Sequence, residues 1–204
     1  MDFQRWVVIQ LLLDIEAFYD SILLDDLIAD AATWDIPKQA AGLALQQHLA
    51  PKVLQIGKSC SQAISSHASS ILAGCASSTR LAKALTRGPT TQVHTQQMQD
   101  EPSHTGFHTG VHVDDVTQLV GHHFPRQARQ IALEAGQQFV DVMRSKGFTI
   151  SSKSSAISSR PKEATAIAKA FGRIGILIQP APHTEDLWGH SYCGQLPGHQ
   201  IHTV

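Results

Sequence analysis

The stretch LLLDIEAFYDSI, from Leu11 to Ile22, places carboxylates at the end of an apolar run. The run itself, from Trp6 to Ile15, is rich in Val, Ile and Leu, and its near-continuous apolar character predicts a strand that is buried on both faces. A carboxylate beside such a strand loses hydration, which costs free energy unless a partner compensates for the lost contacts with water. Asp14 is therefore the first candidate for a functional residue.

The size and charge of the chain limit its function. The 204 residues, of which 42% are hydrophobic and 16% charged, suffice for one domain with a sizeable core. The formal net charge of -1 lacks the basic excess that proteins binding nucleic acid by themselves usually carry. Any role with nucleic acid is therefore expected to be local or to depend on further segments.

The cysteines indicate the compartment. Cys60, Cys75 and Cys193 are far apart, form no CxxC pair and are odd in number, which favours a reducing, intracellular setting over a disulfide framework. Nucleus and cytoplasm both remain open. The first apolar run is too short to span a bilayer and no small-residue cleavage site follows it, so we expect no membrane association.

Periodicity predicts an α+β fold in which helices pack on one sheet. Residues 1–180 form the predicted domain, and residues 181–204 form a C-terminal tail. Between the helices and strands, residues 58–70 read as a flexible connection or a hairpin, and residues 89–110 as a loop. The predicted helices cover 19–34, 35–50, 71–88, 125–147 and 161–175, and the predicted strands cover 6–15, 51–57, 111–121 (a hairpin), 148–158 (a hairpin) and 176–182.

A second acidic site lies in the hairpin VHVDDVTQLVG, where Asp114 and Asp115 occupy the predicted turn. If this hairpin and the strand ending at Asp14 are central in one sheet, the three carboxylates converge. Neighbouring carboxylates resist joint ionisation, and a Mg²⁺ ion relieves the repulsion. Two such ions serve phosphoryl or nucleotidyl transfer. The residues alone leave a structural alternative, because aspartates also favour turns and helix N-caps.

Several motifs, taken in chain order, resemble the palm domain of reverse transcriptases from non-LTR retrotransposons and group II introns. LLLDIEAFYDSI resembles the first catalytic block, with Asp14 followed five residues later by Tyr19. ILAGCASSTRLAKAL is similar to the block in which a glycine and a serine open a helix, here Gly74 and Ser78. VHVDD resembles the block that carries the paired aspartates.

Two further motifs follow in the same order. KGFTISSKSSAISS resembles the block with a glycine followed by a lysine, here Gly147 and Lys153. EDLWGHSYC resembles the segment that leads to the primer grip. The resemblance covers most of the chain and implies a palm-like antiparallel sheet with helices packed on one face. It also implies RNA-directed DNA polymerase activity, with an RNA template, a DNA primer and deoxynucleoside triphosphates as partners.

The resemblance also implies roles for individual residues. Asp14 and Asp114 would coordinate two Mg²⁺ ions, with Mn²⁺ as the alternative metal, and Asp115 would assist near the primer end. Tyr19 would pack under the incoming sugar and favour deoxynucleotides. Lys153 would stabilise charge on the leaving pyrophosphate.

The block between the acidic motifs would contact the base of the nucleotide or template. Gly74 would let the backbone approach, and Ser78 would start the helix behind it. The chain departs from the family pattern at Ala73, Thr79 and His112. Finger strands and a thumb are not recognisable, so we expect a fragment of a mobile-element polymerase. The alternatives are a catalytically inactive palm-like remnant that folds and binds a partner, and a different two-metal enzyme, such as a nucleotide cyclase or a nuclease.

Three histidines form a candidate zinc site. His104, His108 and His112 would share one face of a strand. Gly106 and Gly110 make a regular element less favourable, so a solvated loop is the prediction here. We also predict that His122 and His123 lie on the surface.

Overall fold

The protein is described by a computed structural model that covers residues 6–34, 36–65, 70–71, 73, 75, 77–100, 105–112 and 115–181. Within these ranges the strands are β1 (Val7–Asp14), β2 (Gln55–Ile56), β3 (Ser59–Cys60), β4 (Thr105–His112), β5 (Asp115–His122), β6 (Ser155–Ser158) and β7 (Gln179–Pro180). The helices are α1 (Phe18–Ser21), α2 (Leu24–Thr33), α3 (Lys38–Leu49), α4 (Ser78–Asp100), α5 (Pro125–Ser145) and α6 (Pro161–Arg173).

The predicted α+β class is confirmed, with β1 at the centre of a five-stranded sheet. The strand order is β4-β5-β1-β6-β7, and every neighbouring pair is antiparallel except β6 and β7. Strands β2 and β3 form a separate two-stranded hairpin. Since β1 is paired on both sides, its last residue, Asp14, lies in the middle of one end of the sheet.

At β1, only one face of the sheet is deeply buried. Along β1 the side chains of Val7, Ile9, Leu11 and Leu13 are buried, whereas the residues between them, among them Asp14, are only partly buried. The prediction of a strand buried on both faces is therefore wrong. The apolar run of β1 suggested burial on both faces because it includes Val8 and Leu12, which lie on the less buried side. We call the two sides the covered face and the open face.

Helices α4, α5 and α6 pack on the covered face. The ring of His94 in α4 lies 5.9 Å from that of Phe107 in β4. From β5, the side-chain amide of Gln118 donates a 3.3 Å hydrogen bond to the carbonyl of Ala135 in α5. Helix α6 contributes Phe171, which is completely buried. The three helices therefore cover this face from one edge of the sheet to the other, α4 on β4, α5 on β5 and β1, and α6 on β6 and β7.

The largest disagreement with the sequence prediction falls on residues 89–110. Helix α4 continues through Pro89 to Asp100, although a loop was predicted to begin there. Pro89 removes one backbone donor, which usually interrupts a helix. Leu85 and Val93, on either side of the proline, are buried against the core, so tertiary packing outweighs the local cost.

Strand β4 occupies the rest of the predicted loop. It pairs with β5 over eight residues, from Thr105 opposite His122 to His112 opposite Asp115. This long ladder stabilises a strand whose own sequence, with Gly106 and Gly110, has low strand propensity. The prediction of a solvated loop for the histidine-rich stretch is wrong for its described part.

Two smaller predictions also fail. Residues 148–158 do not form a hairpin, since only β6 is a strand and it pairs with β1 rather than with its own neighbours. His122 is not on the surface but 2% exposed, and its Nδ1 accepts a 2.9 Å hydrogen bond from the backbone N–H of Phe124. Helices α5 and α6 match their predicted spans closely.

Candidate functional site

Asp14 and Asp115 are direct cross-strand partners. Asp14 ends β1, Asp115 begins β5, and the register places the two Cα atoms opposite each other. Side chains of directly opposed residues lie on the same face with Cβ atoms about 4.5–5.5 Å apart. Both residues are half-buried on the open face. The sheet thus brings together two of the three predicted carboxylates, and Asp115 belongs to the strand rather than to the turn.

The third predicted carboxylate, Asp114, lies outside the described residues, so its position is not part of this geometry. Within the described ranges, no group of three or more His, Cys, Asp or Glu side chains could hold a metal ion. The described pair places two carboxylates opposite each other, and opposed like charges on adjacent strands repel. Carboxylate oxygens in this arrangement are the ligand type that Mg²⁺ prefers.

The backbone of Asp14 is held by a serine-rich turn before β6. The N–H of Asp14 donates to Oγ of Ser154 at 3.0 Å, and its carbonyl accepts from the N–H of Ser151 at 2.8 Å. Ser154 is itself bonded through its N–H to the carbonyl of Ser151. These hydrogen bonds fix the backbone at the end of β1 and therefore the position of the Asp14 Cβ atom.

Lys153 lies in the same turn. Its N–H donates to Oγ of Ser151 at 3.2 Å, while its side chain is exposed. The turn therefore places Lys153 at the end of the sheet that carries Asp14. The sequence analysis identified Lys153 but not the role of Ser151 and Ser154, for which the cluster SSKSS was the only indication.

The chain turns sharply between Asp14 and Tyr19. Ala17 adopts a left-handed conformation, with φ 46° and ψ 40°, and α1 begins directly after it. Tyr19 is half-buried, and its ring lies 5.7 Å from that of Phe18, which is buried in the core. Asp20 is exposed in the first turn of α1.

This turn yields a stability prediction. An alanine in the left-handed region costs about 1 kcal/mol, which glycine avoids. We expect Ala17→Gly to raise the free energy of unfolding by about 0.5 kcal/mol, after the larger backbone entropy of glycine is subtracted. Urea denaturation measures the change. The matched control Ala29→Gly, at an exposed position inside α2, should lower it by about 1 kcal/mol. Equal losses in both variants would contradict the assigned conformation.

The segment that precedes α4 attaches beside this turn. The N–H of Ile71 donates to the carbonyl of Tyr19 at 3.0 Å, and that of Ser70 donates to Ile22 at 2.9 Å. Gly74 lies outside the described residues. Ser78 is the first residue of α4 and is completely buried, so its contribution is to the start of the helix rather than to a surface.

Two histidines share the open face with the carboxylates. His112 lies opposite Asp115 in the β4–β5 register, and His108 follows on the same face of β4. A row of His112, Asp115 and Asp14 therefore crosses three adjacent strands. His104 lies outside the described residues. Sequence reasoning considered a shared face for these histidines but discarded the strand on account of its glycines.

Trp6 covers the other end of the open face. A Cβ on Gly121 would lie 2.9 Å from Cε3 of Trp6, and a Cβ on Gly106 would lie 3.4 Å from its Cζ3. The indole ring is also 4.6 Å from the ring of His123. The two glycines are opposed in the register, which leaves room for the indole ring. This contact of Trp6 was not predicted from the sequence, in which Gly106 and Gly121 were the only indication of it.

No family model, curated protein or solved structure matches the chain. Among the helices of the described ranges, none is long and apolar enough to cross a membrane. The site and the order of the motifs are therefore the basis for a functional proposal.

Proposed function

We propose that the chain is a palm-like domain of an RNA-directed DNA polymerase, a reverse transcriptase of the mobile-element type. The observation that carries the proposal is the direct pairing of Asp14 with Asp115 on the open face of the sheet. Two motifs separated by about 100 residues of sequence thereby supply opposed carboxylates. This is the convergence that the resemblance requires of its two acidic blocks.

The connections of the sheet support the proposal. The strand that ends in Asp14 is central, the acidic hairpin pairs with it on one side, and the strand after the Lys153 turn pairs with it on the other. Asp114 is adjacent to Asp115 in the chain. The carboxyl groups of Asp14, Asp114 and Asp115 are the proposed metal ligands.

In the proposed reaction a primer 3′-hydroxyl attacks the α-phosphorus of a deoxynucleoside triphosphate, and pyrophosphate leaves. Bound Mg²⁺ ions would activate the attacking oxygen and stabilise the leaving one. The half-buried carboxylates fix where positive charge can be held, and the hydrogen bonds from Ser151 and to Ser154 keep Asp14 from shifting. Lys153, exposed at the same end, is the proposed partner of the pyrophosphate.

The remaining residues would shape the nucleotide pocket. Tyr19 follows Asp14 by one tight turn and is anchored by Phe18, so its ring has little freedom to move away from the proposed sugar. The N–H of Ile71 is hydrogen-bonded to the carbonyl of Tyr19, so the segment that leads to Gly74 in the sequence begins beside Tyr19. The proposed roles of Gly74 and Ser78 remain those that the resemblance implies.

The test is template-dependent incorporation of dTTP on an oligo(dT) primer annealed to poly(rA), with Mg²⁺ or Mn²⁺. Since the chain is proposed to be a fragment of the polymerase, we expect weak incorporation with the template and none without it. The variant Asp114→Ala should abolish it, and surviving activity would contradict the site. Turnover of nucleotides without a template would indicate another two-metal enzyme. An unchanged melting temperature on addition of Mg²⁺ or Mn²⁺, together with no incorporation, would indicate an inactive remnant.

A further inference from the structure

The outer side of α6 carries a row of cations. Three apolar residues of this helix are buried and face the sheet: Ala164, Ile167 and Phe171. Lys162, Lys169 and Arg173 are exposed. Since successive residues of a helix are about 100° apart, these three cations lie within about 40° of one another and nearly opposite the buried side. We call them the α6 row.

The row extends along almost the whole helix. A rise of about 1.5 Å per residue separates Lys162 from Lys169 by about 10 Å, and Lys169 from Arg173 by about 6 Å, along the axis. The other residues exposed beside the row, Thr165 and Gly172, are small. Helix α6, all of which the structure describes, exposes no large apolar or aromatic side chain. A linear anion can therefore approach the helix closely along the row.

No carboxylate of α6 offsets the row. Glu163 is the one acidic residue of the helix, its side chain is 16% exposed, and it pairs with Arg129 of α5 at 3.4 Å. A fourth cation lies just beyond the end of the helix, where exposed Arg144 donates a 3.2 Å hydrogen bond from Nη2 to the carbonyl of Gly175. This side of the molecule is therefore locally positive, although the whole chain has a formal net charge of -1.

The other helix with exposed cations, α4, is compensated by its neighbours. It exposes Arg80, Lys83 and Arg87, but α2, which contains three aspartates, packs against it. Arg87 also lies 4.5 Å above the ring of Trp34. The α6 row is therefore the stronger candidate for binding an anion.

We propose that the α6 row binds the phosphate backbone of nucleic acid. Lys and Arg contacts to phosphates supply affinity that does not depend on sequence. A stable protein interface usually has an apolar core, and a helix that lies on a membrane inserts apolar side chains, whereas the exposed side of α6 has neither. A row of cations separated by small residues fits a line of phosphates better than either alternative.

This binding site is separate from the proposed polymerase site. Helix α6 packs on the covered face of the sheet, whereas Asp14 and Asp115 lie on the open face. Nucleic acid bound at the row is thus held away from the carboxylates and needs no metal ion. The inference goes beyond the proposed function, and because it is tested in EDTA, either can fail without the other.

The first test is fluorescence anisotropy of a labelled DNA duplex of about 20 base pairs, titrated with the full chain in EDTA at salt concentrations between about 25 and 200 mM. We expect binding at low salt, with a slope of log K against log salt of about -3, because three cations each neutralise one phosphate. Two duplexes of unrelated sequence should bind equally well. A wild-type chain that does not bind the duplex would overturn the proposal.

A pair of matched variants locates the binding site. Lys169→Gln should weaken binding about tenfold at low salt and reduce the steepness of the salt dependence by about 0.9, because one phosphate contact is lost. Lys83→Gln makes the same change at an exposed position of α4 and should leave both quantities unchanged. Circular dichroism checks that both variants fold. Equal effects of the two variants would overturn the assignment to α6.

Two other probes test the alternative partners. Vesicles of phosphatidylserine and phosphatidylcholine test a membrane, for which Ile174 and Leu177, exposed beyond the end of α6, would supply apolar contacts. Cosedimentation with vesicles that Leu177→Ser abolishes, tighter than the binding of duplex, would overturn the proposal in favour of a membrane. Poly-L-glutamate tests an acidic protein surface, and we expect it to compete more weakly than unlabelled duplex at equal charge concentration. Equal competition would overturn the assignment to a phosphate backbone.

Discussion

Replacing Asp14 with Asn is expected to lower template-dependent nucleotide incorporation by about 10³-fold, because a lost metal ligand removes several kcal/mol of transition-state stabilisation. Asparagine keeps the size of the side chain and the hydrogen bonds of the Asp14 backbone with Ser151 and Ser154. The loss is therefore chemical rather than structural. Primer extension, quantified at saturating template and nucleotide, measures it.

A stability measurement separates this role from a merely structural one. Without metal, Asp14→Asn removes a negative charge at the position opposite Asp115 and should raise the free energy of unfolding by about 0.2–1 kcal/mol. With metal, wild-type protein should gain stability by mass action, and the variant should gain much less. The same substitution thus has opposite effects in the two conditions.

The control for both measurements is Asp141→Asn. Asp141 is an exposed carboxylate on α5, a helix that packs on the covered face, so its loss should change neither incorporation nor the metal response. An Asp14→Asn protein with full activity would remove Asp14 from the site. A metal response that survives in Asp14→Asn but disappears in Asp141→Asn would place the ions elsewhere.

The part of the site that could be predicted from sequence is the part encoded by local pattern. Asp14 follows an apolar run and the Asp114–Asp115 pair interrupts an alternating one, so both acidic positions stood out without a structure. Their convergence required only that both strands be central in one sheet. The pairing of Asp14 with Asp115 agrees with that expectation for the described carboxylates.

The rest depended on contacts between distant residues. Strand β4 exists because β5 pairs with it, and the continuation of α4 past Pro89 exists because Val93 is buried; neither cause is visible in a local window. The same holds for Ser154, which is 140 residues away from its partner Asp14. The burial of one face of β1 only was hidden because Val8 and Leu12 on its second face are also apolar.

Gly136→Ala is expected to lower the free energy of unfolding by about 1–2 kcal/mol, the second large effect. Gly136 lies where α5 crosses β1, and a Cβ there would be 2.6 Å from Cζ of Phe171 and 2.8 Å from Cδ1 of Leu11. Both side chains are completely buried, so neither can swing into solvent. Contacts this short on two buried side chains put the overpacking cost in the upper part of the usual range, about 2–3 kcal/mol, and the gain of about 1 kcal/mol from helix propensity leaves a net loss of about 1–2 kcal/mol.

Gly172→Ala is the matched control, since it makes the same chemical change in α6. No atom lies within 4 Å of the position that its Cβ would occupy, so only the propensity gain of about 0.5–1 kcal/mol remains. Urea denaturation should therefore show opposite signs for the two variants. Adding Phe171→Leu to Gly136→Ala removes the ring carbon that causes the closest contact, and the double variant should lose less stability than the sum of the single ones. Strict additivity, or a stabilising Gly136→Ala, would mean that α5 does not approach β1 and α6 as closely as this geometry places it.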